Sequence, residues 1–415
     1  MRARGALVRI SPDRAKMTFW LFAAIGLFLT WRLFDIQVLH GRLYSREALE
    51  QRAQTIEVFA RRGTIYDRTR TVLVRSLKSE SVYADPTQIT DKADAAAKLA
   101  PILGYQPGEI QAALDEQTHF RWLKRKVSHE IAQRVRALNI QGINLVQEET
   151  GRRFWTSGRL ASTVLGFVGM DENGLSGIEY SYDNVLRGTS GKVMLEADPF
   201  QRALPFGTQH VIEKAHPGQS LVLTLDGYLQ FEAERLLDAQ VKEFHARSGS
   251  VIVMEPRTGE ILAMANSPDF DPAHYAASKP DAWRDRAITD PYDTGSTFKL
   301  VTAAAALESG KVTTKSRFPA LDQIRINGSV IHNAEDDMPL NSNTETLEDI
   351  IAYSHNVGAA EVAMRIGERA EYRQIRKFGF GEPTGVGLPG ESAGILPPLD
   401  EWSGTSLPTI AFGQG

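Results

Sequence analysis

The chain has 415 residues, of which 42% are hydrophobic and 24% charged, and it contains no cysteine. This length and composition are typical of a globular protein with two or three domains, each with its own core. The formal net charge of −4 gives no reason to expect nucleic acid as a partner, and the absence of cysteine excludes thiol nucleophiles, disulfide bonds and cysteine-ligated metals.

The N-terminus combines a basic leader with an uncharged apolar run. Residues 1–16 hold five Arg and Lys against one Asp, a net charge of +4, and residues 17–31 read MTFWLFAAIGLFLTW. Fifteen residues are fewer than the roughly 20 that cross a bilayer, but Arg32 can extend its side chain to the interface. A cleaved signal peptide or a buried core helix is the alternative. No small-x-small cleavage site follows the run, so we favour a retained anchor at 17–39, with the leader in the cytoplasm and the bulk of the chain outside.

Residues 42–215 are predicted to form a mixed α/β domain outside the membrane. After a short polar helix near residues 45–54, residues 55–76 alternate apolar and polar side chains, which is the pattern of strands around a turn. Residues 91–136 carry Ala, Glu and Lys at helical spacing, whereas residues 139–210 return to strands and glycine-rich turns.

Residues 214–220, KAHPGQS, are predicted to link this domain to a second one at 220–415. A strand at 221–226, an amphipathic helix at 227–246 and the hairpin SGSVIVMEPRTGEILAMANS at 248–267 follow in order. The sequence therefore predicts an α+β fold, in which helices flank an antiparallel sheet.

The stretch DTGSTFKL, residues 293–300, places a serine and a lysine three positions apart at the start of an apolar helix. Gly295 allows a tight entry, and positions i and i+3 share a helix face, so Lys299 can reach the Ser296 hydroxyl. Burial favours the neutral amine, and a neutral amine beside a hydroxyl is a general base beside a nucleophile. The alternative is an N-cap serine followed by a lysine that extends to solvent.

A second cluster, AYSHNVGAAEVAMRIG, opens another helical stretch at residues 352–367. Ser354 offers a hydroxyl that can relay a proton, and Asn356 offers an amide that can orient Lys299 and a substrate backbone. His355 is predicted to point elsewhere. A plain serine cap is again the alternative.

Together GSTFK and SHN resemble the S-x-x-K and S-x-N motifs of penicillin-recognising serine enzymes. The segments RRGTIYDR, GFVGMDENGLSGIEYSYDNVLRGTSG, EPRTGEILAMANSPDFDP, FGFGEPTGVGLPGE and IAFGQG resemble, in that order, the class B penicillin-binding proteins, which are membrane-anchored peptidoglycan transpeptidases. The resemblance covers the chain from Arg32 onward. The glycine-rich block at 166–191 and the FGQG segment are most similar to members that act in cell division.

The resemblance implies a non-catalytic pedestal or dimerisation-type domain at 42–215 and a penicillin-recognising transpeptidase domain at 220–415. Ser296 would attack the carbonyl between two terminal D-alanines, Lys299 would take its proton, Ser354 would pass it on and Asn356 would hold the substrate. β-Lactams would acylate the same serine, and neither nucleotide nor metal would be needed. Implied partners are peptidoglycan stem peptides, the membrane, a membrane glycan polymerase and other division proteins.

Two features depart from the family pattern. Thr294 stands where the family usually has proline, and the sequence contains no Lys-Thr-Gly motif. Arg257, Thr258 and Gly259 imitate that motif but fall in the predicted hairpin turn. We therefore expect that the sequence is truncated at its C-terminus, that its C-terminal half folds poorly and that the polypeptide is largely inactive.

Two other functions fit part of the sequence. A non-catalytic septal scaffold would need only the domain at 42–215. A serine β-lactamase or penicillin sensor would use the same Ser296 and Lys299, although such proteins seldom carry a large domain between anchor and serine. Stable penicillin labelling, rapid turnover or no labelling would separate the three.

Overall fold

The computed structural model describes residues 12–40, 44, 53–58, 60–196, 209–334 and 343–414. Its α-helices are α1 Pro12–Phe34, α2 Lys92–Leu103, α3 Pro107–Asp115, α4 His129–Ala137, α5 Ser162–Leu165, α6 Gly177–Ser181, α7 Asp183–Leu186, α8 Gly227–Glu243, α9 Arg286–Thr289, α10 Lys299–Glu308, α11 Leu347–Ala352, α12 Asn356–Ile366, α13 Glu368–Lys377 and α14 Ser406–Ile410. Its strands are β1 Ala53–Val58, β2 Ile65–Tyr66, β3 Val72–Ala84, β4 Arg121–Val127, β5 Ile143–Trp155, β6 Gly191–Glu196, β7 Gln209–Glu213, β8 Leu221–Val222, β9 Gly249–Met254, β10 Ile261–Ser267, β11 Arg317–Pro319, β12 Gln323–Ile326, β13 Ser329–His332 and β14 Thr344–Thr346.

Helix α1 continues into a π-helical turn, Asp35–Leu39, and contains the predicted anchor. Its segment Phe19–Leu39 has 21 residues and a mean hydropathy of 1.6, so by length and composition it can cross a membrane. Large apolar side chains along it are exposed, Trp20 by 69% and Phe22 by 71%, which suits lipid contact better than a place in a protein core. Residues 1–11 of the leader, and most of the short polar helix predicted near 45–54, lie outside the described residues.

One compact unit comprises residues 1–61, 78–151 and 188–218. In it the C-terminal part of β3 pairs antiparallel with β4, and helices α2 to α4 contribute to a core with buried leucines at 99, 103 and 114. Strand β6 lies between β1 and β7 in a separate antiparallel sheet.

The helical spacing predicted for residues 91–136 is interrupted by strand β4. Its sequence RWLKRKV alternates, with Leu123 and Val127 buried while Trp122 is 39% exposed. The period of two over seven residues favours a strand, and pairing with β3 stabilises it. Conversely, the region 139–210, predicted as strands and turns, also contains the short helices α5, α6 and α7.

The second compact unit comprises residues 62–77, 152–187 and 219–415. In it β2 pairs antiparallel with the start of β3 and parallel with β8, where Ile65 lies opposite Leu221. The two units interleave along the chain, so the domain limits 42–215 and 220–415 remain predictions.

The hairpin predicted at 248–267 is present as β9 and β10, and Arg257–Gly259 lie in its turn as expected. Helix α8 packs against the hairpin through Ala233 and Leu237, which contact the buried Ala263 and Ala265. This helix and hairpin confirm the order of elements that the sequence predicts after residue 220.

Helices α10 and α12 form the core that positions the site. Ala305 and Ala306 of α10 pack with Val357 and Ala360 of α12, all nearly inaccessible to solvent, together with Phe412. Leu300 of α10 is 61% exposed, because the described residues cover only one face of the helix.

A buried charge network fixes the glycine-rich block of this unit. Glu179, fully buried on α6, accepts hydrogen bonds from Arg62 Nε at 2.5 Å and from Arg153 Nε at 2.7 Å. Arg62 also donates to Asp183 Oδ1 at 2.5 Å and to the Glu172 carbonyl at 2.8 Å. These bonds connect residues far apart in sequence and hold α6 and α7 against β2 and β5.

Candidate active site

The Ser296–Lys299 pair lies where a 3-10 turn, Gly295–Phe298, runs into α10. Gly295 has φ of 62°, in the left-handed region that glycine adopts without strain. This entry leaves Ser296 exposed, whereas Lys299 is only 2% exposed. Lys299 Nζ lies 3.1 Å from Ser296 Oγ, so the ammonium or amine group is within hydrogen-bonding distance of the hydroxyl.

Ser354 brings a second hydroxyl to the same nitrogen. It lies between α11 and α12 with φ of 60°, a conformation that costs a non-glycine residue about 1–2 kcal/mol. In this conformation the Lys299 Nζ contacts Ser354 Oγ at 3.0 Å and also the Ser354 carbonyl oxygen. Lys299 therefore lies between two hydroxyls, which is the geometry that proton transfer from one to the other requires.

Asn356 and His355 follow directly in the chain and have different surroundings. Asn356 is the first residue of α12, and its side-chain amide donates to the His332 carbonyl at 3.2 Å. His355 is 1% exposed, and its Nδ1 lies 2.5 Å from Glu345 Oε2. The structure thus places the histidine ring in the core and gives it a carboxylate partner, neither of which the sequence predicted.

Two carboxyl groups near His355 have raised pKa values: Glu345, which is buried, and Glu361, which is half-buried. Burial raises the pKa of Glu345, although its hydrogen bond with His355 acts in the opposite direction. Burial and then the charge of Glu345 raise the pKa of Glu361 to about 7. The residue after Ser354 therefore contacts a carboxyl group whose pKa is raised by burial.

The FGQG segment approaches the nucleophile from the other side. Gly295 N donates to the Gly413 carbonyl at 3.1 Å. Gly413 has φ of 77°, and a Cβ there would lie 2.2 Å from the Gly295 carbonyl oxygen, so only glycine fits without displacement. This contact positions the residue before Ser296, and no local sequence pattern predicts it.

An open cleft of about 810 Å³ lies beside the site rather than on it. It borders Thr294 and Gly413, but its lining does not include Ser296, Lys299 or Ser354. Its walls are largely apolar and come from β9, β10 and the aromatic residues Phe298, Phe378 and Phe380. The contacts of Lys299, not this cleft, therefore mark the position of the chemistry.

Two family descriptions match the chain. Residues 57–223 match the penicillin-binding protein dimerisation domain, and residues 249–415 match the penicillin-binding protein transpeptidase domain.

Curated relatives cover nearly the whole chain. Stage V sporulation protein D of Bacillus subtilis is 30% identical over 97% of this chain, which spans 62% of that protein's length. Peptidoglycan D,D-transpeptidase FtsI of Escherichia coli is also 30% identical over 97% of this chain, which spans 69% of it.

Solved structures show the same similarity. A peptidoglycan synthetase of Bifidobacterium adolescentis is 27% identical, with a TM-score of 0.65 over 88% of this chain and 70% of its own. Penicillin-binding protein 3 of Mycobacterium tuberculosis is 27% identical, with a TM-score of 0.61 over 87% of this chain and 61% of its own.

Proposed function

This chain belongs to the class B penicillin-binding proteins, and on that premise we propose that it crosslinks peptidoglycan stem peptides as a D,D-transpeptidase. The observation that carries the proposal is the place of Lys299 Nζ, 3.1 Å from Ser296 Oγ and 3.0 Å from Ser354 Oγ. The name of the Escherichia coli relative, a peptidoglycan D,D-transpeptidase, supports the choice of substrate.

In the proposed first step, Ser296 Oγ attacks the carbonyl carbon between the two terminal D-alanines of a stem peptide. Neutral Lys299 accepts the hydroxyl proton and gives a proton to Ser354, whose hydroxyl gives its own proton to the nitrogen of the leaving D-alanine. The amide bond breaks, an ester to Ser296 forms, and free D-alanine leaves.

In the second step, the amine of a neighbouring stem peptide attacks this ester. The proton lost by the attacking amine returns through Ser354 and Lys299 to Ser296 Oγ. A new amide replaces the one that was broken, which explains why no nucleotide is required. We assign Asn356 the role of holding the substrate backbone, since it lies two residues from Ser354 at the start of α12.

A fluorescent penicillin tests the assignment of the nucleophile. We expect a stable label on the wild-type chain, none on Ser296→Ala, and wild-type labelling of the control Ser309→Ala, which changes a serine at the far end of the same helix. Fast release of the label would instead indicate a β-lactamase, and no label even after hours would favour the non-catalytic scaffold. Label that persists on Ser296→Ala would show that another residue is the nucleophile.

We also propose that a polypeptide of these 415 residues alone acylates slowly. The Ser296 N–H is one candidate donor to the oxyanion, and in the family a Lys-Thr-Gly strand supplies the second. Loss of one such donor typically costs about 10²–10³ in rate. Acylation as fast as that of a relative carrying the motif would contradict this proposal.

For location and partners, we propose a single-pass membrane protein with residues 1–16 in the cytoplasm and residues 42–415 outside. The exposed apolar helix α1 supports the membrane span, and the basic leader supports the orientation. We further propose that residues 42–215 dock a glycan polymerase or other division proteins. Protease added to intact spheroplasts should remove the bulk of the chain. Full protection of residues 42–415 would indicate the opposite orientation in the membrane.

A further inference from the structure

A buried carboxyl group lies one helix turn below the Ser296–Lys299 pair. Glu371, on α13, is fully inaccessible to solvent, and its Oε1 lies 2.7 Å from the hydroxyl of Thr302 on α10. The same Thr302 hydroxyl lies 2.9 Å from the carbonyl oxygen of Ala411. Thr302 is three residues after Lys299, so both side chains are on one face of α10.

The protonation state of Glu371 decides which hydrogen bonds form between Glu371, the Thr302 hydroxyl and the Ala411 carbonyl. Thr302 has one hydroxyl proton, and the Ala411 carbonyl can only accept. Thr302 can therefore donate to Ala411 or to Glu371, but not to both. If Glu371 carries a proton, it donates to Thr302, Thr302 donates to Ala411, and both contacts become hydrogen bonds.

If Glu371 loses its proton, the contacts cannot all be satisfied. The carboxylate competes for the Thr302 proton, and the Ala411 carbonyl then loses this donor. The second carboxylate oxygen, Oε2, is also buried and has no hydrogen-bond partner among the described residues. A charged carboxylate in this position is costly, and burial accordingly raises the pKa of Glu371 to about 7.

Ala411 is connected to the nucleophile through the backbone. Two residues after it, the Gly413 carbonyl accepts the hydrogen bond of Gly295 N at 3.1 Å, and Gly295 directly precedes Ser296. The close approach of Gly413 to Gly295 means that a shift of residues 411–413 also shifts the 3-10 turn that carries the serine.

We propose that protonated Glu371 is a positioning residue for Ser296, which acts through Thr302 and Ala411 to hold residues 411–413 against Gly295. This inference rests on the proposed function only for its effect on acylation. Loss of the Glu371 proton above neutral pH loosens this support, so the serine is held best at neutral to mildly acidic pH.

The ionisable groups of neighbouring elements are not what raises the pKa of Glu371. Residues 406–414 contain none. Those on the elements packed against α13, and on α13 near Glu371, are Lys299, Glu308, Glu361, Arg365, Asp400, Glu401, Glu368, Arg369, Tyr372 and Arg373. Burial is the cause that raises the Glu371 pKa.

The first test compares penicillin acylation of wild type and Glu371→Gln from pH 5.5 to 8.5. The Gln amide keeps a donor toward Thr302 at every pH, and any effect of pH that is common to both proteins cancels in the ratio of their rates. We expect a ratio of variant to wild type near 1 at pH 5.5 that rises to about tenfold at pH 8.5. A ratio independent of pH would overturn the proposal.

Thr302 variants supply the matched controls. Thr302→Val should slow acylation about tenfold relative to wild type at pH 5.5 and little at pH 8.5, where wild type has lost the same support. It should also remove the effect of Glu371→Gln, whereas Thr302→Ser should behave like wild type in both respects. Glu308→Gln, a carboxylate at the exposed end of α10, should match wild type throughout. A rate for Thr302→Val equal to wild type at pH 5.5 would contradict the role of the hydroxyl.

A second readout does not depend on acylation. Amide hydrogen exchange of residues 293–298, which include the Gly295 N–H, should be faster in wild type than in Glu371→Gln at pH 8.5 and equal at pH 5.5. If wild type never reacts with penicillin, the proposed function fails, and this exchange difference still decides the role of Glu371. Equal exchange in wild type and Glu371→Gln at both pH values would refute the role of Glu371.

Discussion

Replacing Glu179 by glutamine should destabilise the second unit strongly. The change keeps the shape of the side chain but removes the negative charge between Arg62 and Arg153, whose side chains are each 1% exposed. Asp183 remains near Arg62, whereas the other hydrogen bonds of Arg153 in the described part of the chain go to two uncharged groups, the Gly63 carbonyl at 2.7 Å and Ser76 Oγ at 3.3 Å.

The size of the effect follows from this loss of compensation. Burial already lowers the pKa of the Arg153 guanidinium, and Glu179 acts against that effect. Removal of one partner from a buried ion pair costs about 3–5 kcal/mol. The glutamine oxygen still accepts one hydrogen bond, so we expect the free energy of unfolding to fall by about 3 kcal/mol. This changes the unfolding equilibrium constant more than a hundredfold.

Urea-dependent proteolysis of the detergent-solubilised chain measures this difference, with hydrogen exchange of residues 62–77 as a local probe. The matched control is Glu232→Gln, which removes a carboxylate from an exposed pair with Arg235 on α8 and should cost less than about 0.5 kcal/mol. Equal, small effects of the two substitutions would show that water reaches the buried guanidinium groups and would refute the reasoning.

Two further predictions concern the site and its support. Gly413→Ala places a Cβ 2.2 Å from the Gly295 carbonyl at a residue with φ of 77°, and should slow penicillin acylation at least about tenfold without loss of membrane attachment; a wild-type rate would contradict the close approach. Burial raises the pKa of Glu371 from 4.5 to about 7, so the folded state holds this proton more tightly and wild type loses about 3 kcal/mol of stability as pH rises from about 4.5 to about 7. Glu371→Gln should lack that loss in thermal melts across this range, and parallel curves for the two proteins would argue against it.

The elements that the sequence predicted best are those whose signals are local. The hairpin of β9 and β10 combines two apolar strands with a turn in which Gly259 has φ of 77°, and α8 carries a full amphipathic period. Strand β4 was missed because Ala- and Lys-rich helices flank it and its alternation spans only seven residues. Its pairing with β3 is a tertiary contact that overrides the local preference.

In the candidate site, too, the residues with a local sequence signal were predicted and the long-range contacts were not. The approach of Lys299 to Ser296 follows from helical spacing, and motif resemblance led to Ser354 and Asn356. The contacts of Thr302 with Glu371 and Ala411 join residues 69 and 109 positions apart, and the bond from Gly295 to Gly413 is equally distant in sequence. No periodicity encodes such contacts, because each depends on how α10, α13 and the segment after α14 pack.

The parallel pairing of Ile65 with Leu221 has a consequence for synthesis. A ribosome releases β2 long before β8, and closing so long a loop is entropically costly. Until residue 221 has emerged, the backbone groups of β2 that face β8 have no strand to bond with and are open to chaperones and proteases. Arrest of translation just before residue 221 should therefore leave residues 62–77 protease-sensitive, and arrest beyond the second unit should protect them.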